Sequence, residues 1–245
     1  MRELLRGLGI FAVAGLAAGG LSACGMVQGQ TYEDESTLSG KITSVRLENG
    51  SGGVTLNGTE GGGKLSLHRK LEYWGDRPED PTHRIEGGVL VLKGCDGDSR
   101  CSVNYTVDVP AGIAVSGQVS SGAVHLAGVG AVKVATSSGR IEMEGVSGAV
   151  DVRTSNGRIT GRDIKGGEIQ AQTSNGAIDL TPATPQNVRA TTSNGDITLT
   201  VPPGSYQVAA DSNNGGEDIG VTSDPAGRYR LGLKTSNGAI TVRTS

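Results

Sequence analysis

A short polar tripeptide ending in glycine returns along the second half of the chain, and its spacing restricts the fold more than any other feature. Ser-Ser-Gly, Ser-Asn-Gly or Asn-Asn-Gly places glycines at Gly122, Gly139, Gly157, Gly176, Gly195, Gly215 and Gly238, at intervals of 17, 18, 19, 19, 20 and 23 residues. Apolar residues keep fixed offsets around them. Seven positions earlier stand Val115, Val132, Val150, Ile169, Val188, Val208 and Leu231. Two positions later come Val124, Ile141, Ile159, Ile178, Ile197 and Ile240, with Glu217 the departure. Two further on are Leu126, Met143, Gly161, Leu180, Leu199 and Val242. Apolar-polar-apolar alternation is the pattern of a half-buried strand. Each unit therefore reads strand, tight turn, strand and a looser bend that absorbs the variation in length.

Two architectures produce such a pattern. In an antiparallel meander the Asn-Gly steps would be type I′ hairpin turns. In a parallel β-solenoid (β-helix) of roughly 17–20 residues per coil, like residues would stack in columns, which explains why one residue type recurs at one place. Ile141, Ile159, Ile178 and Ile197 would then pack at the ~4.8 Å strand spacing. Asn156, Asn175 and Asn194, with Asn237 as a further turn residue, would suit an amide ladder. Glycine at the corner is expected to supply positive φ. The composition agrees with a turn-rich all-β chain: 41 of 245 residues are Gly, and five Tyr, one Trp and one Phe are the whole aromatic complement. With 8 Pro and no Gly at every third position, collagen is excluded. The favoured expectation is a single-domain, all-β parallel solenoid over 38–245, right-handed by the usual bias of parallel crossovers.

The first half carries a fainter copy. Val45-Arg46-Leu47 precedes Gly52, and Val54-Thr55-Leu56 follows at the same offsets. Further strands are expected at Lys64–His68, Gly88–Leu92 and Ser102–Val109, with the Trp74 loop from Tyr73 to Pro81 as a cap, because solenoid ends need covering. The total comes to about eight coils. The chain ends in Ile240–Thr244 without an obvious cap, so this strand is expected to be an open edge able to pair with another copy.

The N-terminus reads as a targeting segment. Arg2 and Arg6 precede a small, apolar run from Gly7 to Gly20, too short for a comfortable span. Leu21-Ser22-Ala23-Cys24 then follows the pattern of a bacterial lipobox. The expectation is a lipoprotein signal peptide over 1–23, diacylglycerol on Cys24, and a flexible tether over 24–37. The formal charge of −3 favours no polyanion and no nucleic acid. Lipidation of Cys24 resolves the odd cysteine count, and places Cys95 and Cys101 where a disulfide persists. Closing that small loop would contribute about 2–3 kcal/mol. The competing metal pair lacks zinc-like spacing and a nearby His.

Catalytic patterns are sparse. His68, His83 and His125 show no metal-binding spacing, so no metal or cofactor is expected. Asp96 and Asp98 flank Gly97 and could offer oxygens to calcium, although solubilising a loop explains them as well. Ser138, Ser155, Ser174 and Ser193 fit turn hydrogen bonding. Glu142, Asp151 and Asp179 do not converge as a hydrolytic pair in this register. A column of Thr136, Thr154, Thr173, Thr192 and Thr235 is broken as an ice-binding plane by its Ser and Asn neighbours. The outward rows, Glu142, Thr160, Asp179, Thr198 and Thr241 on one face and Lys133, Asp151, Gln170 and Arg189 on the other, are mixed in charge.

Three segments carry a family resemblance: Cys95 through Cys101-Ser-Val-Asn-Tyr-Thr-Val-Asp-Val-Pro110-Ala-Gly, the Thr-Ser-Asn-Gly-x-Ile units, and Val201-Pro-Pro-Gly-Ser-Tyr206. Over roughly residues 40–245 the chain resembles a bacterial family of unknown function that carries an adhesin label. The resemblance implies a β-solenoid on extracytoplasmic envelope proteins, often lipoproteins in actinobacteria, and brings no catalytic residues. The functional expectation is a non-enzymatic protein, lipid-anchored to the cell membrane, that offers an adhesin-like or scaffold surface to a protein or glycan. The alternatives are an envelope-stress sensor that binds a small ligand, lipid or partner protein, and a carbohydrate-active enzyme.

Overall fold

The computed structural model describes residues 29–61, 65–95 and 100–245. The leader, Cys24, Lys64, Asp96 and Asp98 lie outside the described residues. In chain order the strands are β1 (Gln30–Thr37), β2 (Ser44–Ser51), β3 (Val54–Thr59), β4 (Ser66–Tyr73), β5 (His83–Glu86), β6 (Val89–Lys93) and β7 (Cys101–Pro110). Then come β8 (Ala114–Ser121), β9 (Val124–Ala127), β10 (Val132–Ser138), β11 (Ile141–Glu144), β12 (Val150–Asn156), β13 (Ile159–Ile164) and β14 (Ile169–Asn175). The last seven are β15 (Ile178–Pro182), β16 (Val188–Asn194), β17 (Ile197–Val201), β18 (Tyr206–Asn214), β19 (Glu217–Ile219), β20 (Tyr229–Asn237) and β21 (Ile240–Thr244).

These strands form a β-solenoid. One strand of each coil joins an 11-stranded sheet and the other a 10-stranded sheet. With β1, β4 and β5 set aside, 9 coils remain. Neighbouring coils pair in parallel, and the repeat sets the register: Ile141, Ile159, Ile178, Ile197 and Ile240 align across successive strands. On the facing sheet Val115, Val132, Val150, Ile169, Val188 and Leu231 align likewise. All eleven are buried, at 2% exposure or less, and the two columns face each other across a core that runs from Leu38 to Val242. β-branched side chains suit this setting, since their restricted rotamers pack against like neighbours on a pleated surface.

The chain does not wind monotonically. At the N-terminal end the coil β6–β7 lies outside β2–β3, although it follows it in sequence. At the C-terminal end β20 sits between β16 and β18, and β21 between β17 and β19. This overturns the expected open edge at Ile240–Thr244: the last coil is internal and the penultimate coil is the end. The reason lies in side-chain polarity. Leu231, Leu233, Thr235, Ile240 and Val242 are all buried, which needs a neighbouring coil on each side, whereas β19 is Glu-Asp-Ile and largely exposed. Burying the apolar coil and exposing the polar one is favoured by the area each removes from water.

Side chains also block this end. The edge amide of Ser212 donates to Glu217 Oε1 at 2.9 Å, and that of Val208 to Ser223 Oγ at 3.1 Å. Glu217, the residue that breaks the isoleucine column, therefore occupies a backbone donor that would otherwise be open to another strand.

The opposite end is covered by antiparallel strands. β4 pairs with β7, β1 with β4, and β5 with β6. The tether expected over 24–37 is thus too long, because Gln30–Thr37 is an ordered strand. Its alternating Tyr32, Asp34 and Ser36 are half-buried, a polar version of the strand pattern that hydrophobicity alone does not reveal. Asp34 binds Arg69 through two bonds of 2.8 Å, and Arg69 Nη1 donates to Thr82 Oγ1 at 2.9 Å. The bidentate pair is partly buried, which gives it more geometric definition than an exposed ion pair. The Tyr105 hydroxyl, within 2.6 Å of the Thr82 carbonyl and 2.7 Å of the Lys93 carbonyl, ties the Trp74 loop to the outer coil. Burial raises the Tyr105 pKa well above its ordinary value.

Candidate interaction face

The repeat residues form the edge of the solenoid. Each turn glycine is stacked so closely on the next that a Cβ would meet backbone. At Gly139 it would lie 1.9 Å from the Gly122 carbonyl oxygen, at Gly157 2.0 Å from that of Gly139, and at Gly195 2.1 Å from that of Gly176. Positive φ is not the common requirement that the sequence suggested. Gly176 has φ +158°, close to extended, and Gly139, Gly157 and Gly215 fall outside the left-handed range. What every position shares is the absence of room for a side chain.

Beside the glycines, amide side chains form a continuous ladder. Asn175 donates to Asn156, Asn194 to Asn175 and Asn237 to Asn194, each at 2.9 Å, and Asn214 donates to Asn237 at 3.0 Å. The threonine column lies on the inner side of the same corner. Thr154, Thr173 and Thr192 donate to the Gly139, Gly157 and Gly176 carbonyls at 3.0 Å, and Thr235 to Gly195 at 2.9 Å. These threonines are buried, so they offer no plane to solvent. Cys95 and Cys101 form a disulfide with Cα atoms 6.0 Å apart, at the corner of the outermost coil.

Other polar residues are dispersed. His125 Nδ1 faces Glu142 Oε2 at 3.4 Å, and Arg140 Nε lies 3.0 Å from the other oxygen of that carboxylate. Asp179 faces Arg158 at 3.6 Å, and His68 faces Glu33 at 3.8 Å. His83 sits at the capped end, where burial and then the nearby Arg69 charge hold its pKa below the ordinary value. No three His, Cys, Asp or Glu side chains converge in metal-binding fashion among the described residues.

The outer face of the 10-stranded sheet is shaped differently. Three adjoining depressions of about 450, 360 and 340 Å³ share their lining residues and form one open trough across β2, β8, β10, β12 and β14. Its bed is low because the outward positions include Ser116 and Ala135. Between them Gly117, in register with the buried Leu47 and Val134, has φ +117°, and a Cβ there would lie 2.1 Å from the Leu47 carbonyl oxygen. Longer side chains, Arg46, Glu48, Lys133, Asp151 and Arg153, rise around this bed. Glu48 pairs with Arg46 at 3.9 Å and Asp151 with Arg153 at 3.3 Å, so each carboxylate has a cation two residues away on its own strand. Gln118, Gln172 and Ser174 add uncharged donors and acceptors. The trough can therefore offer many polar contacts to an extended ligand. The row Lys133, Asp151 and Gln170 is legible in the sequence; its juxtaposition with Arg46 and Glu48 depends on β2 lying beside β8, across a stretch of 70 residues.

No curated protein matches the chain in sequence. Among solved structures, a candidate adhesin from Parabacteroides distasonis is 12% identical, with 88% of this chain and 98% of that chain covered and a TM-score of 0.49. A candidate cell adhesion protein from Clostridium sporogenes is 12% identical, with 88% and 100% covered and a TM-score of 0.41. A candidate adhesin from Bacteroides fragilis is 15% identical, with 88% and 97% covered and a TM-score of 0.36. The sequence profile that does match runs over residues 111–243, from just before β8 to the penultimate residue of β21. Since that span is more than half of its length, the chain belongs to the Toastrack DUF4097 family.

Proposed function

We propose that this chain is a non-enzymatic, lipid-anchored protein of the cell envelope that makes adhesin-like contacts with a surface protein or glycan. The observation that carries the reading is the trough on the 10-stranded sheet, whose small bed and polar rim suit many weak contacts along an extended chain. The Leu21-Ser22-Ala23-Cys24 motif supports the anchor, and the Cys95–Cys101 disulfide supports a location outside the reducing cytoplasm.

The test is binding of purified residues 25–245 to arrayed envelope glycans and extended peptides. Arg153→Ala and Gln118→Ala are expected to weaken capture about tenfold, equivalent to about 1.4 kcal/mol. Thr160→Ala and Thr198→Ala, on the opposite sheet, are expected to leave it unchanged. Equal effects on both faces would refute the trough as the binding surface. Mass spectrometry of the membrane-extracted protein reads the anchor directly, as a diacylglyceryl group on Cys24.

A further inference from the structure

We infer that the capped end of the solenoid docks on the membrane surface through Trp74, so that the molecule is held at the bilayer by an indole as well as by its lipid. The inference rests on the proposed anchor at Cys24. Trp74 is the sole tryptophan of the chain and, among the described residues, the one exposed large hydrophobic side chain, at 43%. An exposed indole is an amphipathic group that favours the headgroup level of a bilayer.

Its position relative to the anchor is what gives it a partner. Five residue steps separate Cys24 from Gly29, a span of at most about 18 Å. Gly29 lies against the indole, such that a Cβ there would come within 3.1 Å of Trp74 Cε2. The next residue is pinned at the same spot. Gln30 Nε2 donates to the Gly75 carbonyl at 3.2 Å, and the Tyr73 hydroxyl donates to Gln30 Oε1 at 3.3 Å. The chain therefore leaves the fold beside Trp74, and a lipid on Cys24 holds this end within a short reach of the bilayer.

The surrounding charges define the kind of contact. Glu33, Glu35, Asp76, Glu79 and Asp80 make this end acidic, and the Arg77 guanidinium lies over the Tyr32 ring at 4.3 Å. Attraction to anionic lipid is not available here, so the contact is interfacial and apolar. Docking by this end leaves both sheet faces clear of the membrane, with the 9 coils extending about 40 Å beyond it at ~4.8 Å per coil.

The experiment couples Cys24 of the mature chain to a maleimide phospholipid in phosphatidylcholine vesicles that carry brominated acyl chains. Cys95 and Cys101 are joined, so Cys24 is the one free thiol. The expected result is a blue shift of Trp74 emission, with quenching strongest for bromine near the headgroups and undiminished by high salt. Emission and quenching equal to those of the uncoupled chain mixed with the same vesicles would overturn the inference. The chemical tether separates the two readings: a native Cys24 without lipid would remove the anchor and leave this result intact, whereas an unshifted Trp74 on the tethered chain defeats docking alone.

Discussion

Replacement of Gly157 by Ala tests the close stacking of the solenoid corner. The new Cβ would lie 2.0 Å from the Gly139 carbonyl oxygen and 2.5 Å from its carbon, both backbone atoms. Real Cβ atoms stay at least 3.0 Å from such atoms, so the two coils must part by about 1 Å. That displacement strains the bonds crossing the gap: Gly139 N to Asn156 O and Ile141 N to Arg158 O, both 3.0 Å, and Thr154 Oγ1 to Gly139 O, also 3.0 Å. Each contributes about 1 kcal/mol net, and steric strain adds to their loss. A destabilisation of about 3–5 kcal/mol follows, at the severe end for a single substitution. For a domain of this size it corresponds to a fall in Tm of roughly 10 °C. The matched control is Gly232→Ala in β20, where nothing lies within 4 Å of the added Cβ. There the reduced freedom of the unfolded chain is expected to leave stability unchanged or raise it by about 0.5 kcal/mol. Thermal and urea unfolding followed by circular dichroism reads both variants. If Gly157→Ala unfolds within about 0.5 kcal/mol of Gly232→Ala, close stacking is not what the glycine column provides.

Substitutions at three further positions probe separate features. Thr173→Val keeps the shape but leaves the Gly157 carbonyl without its 3.0 Å donor, so a loss of about 1–2 kcal/mol is expected in urea unfolding, with Thr173→Ser much closer to the parent. Glu217→Ile restores the isoleucine column but frees the Ser212 amide, and sedimentation is expected to show concentration-dependent association that the parent lacks; a monomeric variant would contradict the blocking role. His83 has its pKa lowered chiefly by burial, so the folded state prefers the neutral ring. Its contribution is complete above the unfolded pKa of about 6.5 and is lost as pH falls through the lower folded value. Stability measured by urea unfolding between pH 7 and 5 should therefore fall less steeply in His83→Gln than in the parent, and equal slopes would count against it.

The irregularities of the repeat show how far local sequence reaches. Gly161 stands where the column has Leu, Met or Val, and the structure supplies the cause: a bulge after Arg162 turns Ile164 inward, so that a Cβ on Gly161 would lie 2.8 Å from Ile164 Cδ1. One side chain fills the space another vacates, and only the bulge shows which. The same holds for β1. Its Tyr32, Asp34 and Ser36 acquire meaning through Arg69, 35 residues beyond Asp34.

The order of residues alone determined the coil. Fixed offsets between glycine, isoleucine and valine impose one strand register, since a slip by a single residue would turn every apolar side chain to water. The order of the coils in space was decided elsewhere. All repeats are compatible neighbours because they carry the same columns, so nothing local distinguishes β16 beside β18 from β16 beside β20. That choice follows from the whole assembly: of the last two coils, the more apolar one gains more from neighbours on both sides, and the coil with Glu217 and Asp218 loses less at the end. The trough has the same origin, since Arg46 and Lys133 come onto one face only when β2 and β10 flank β8.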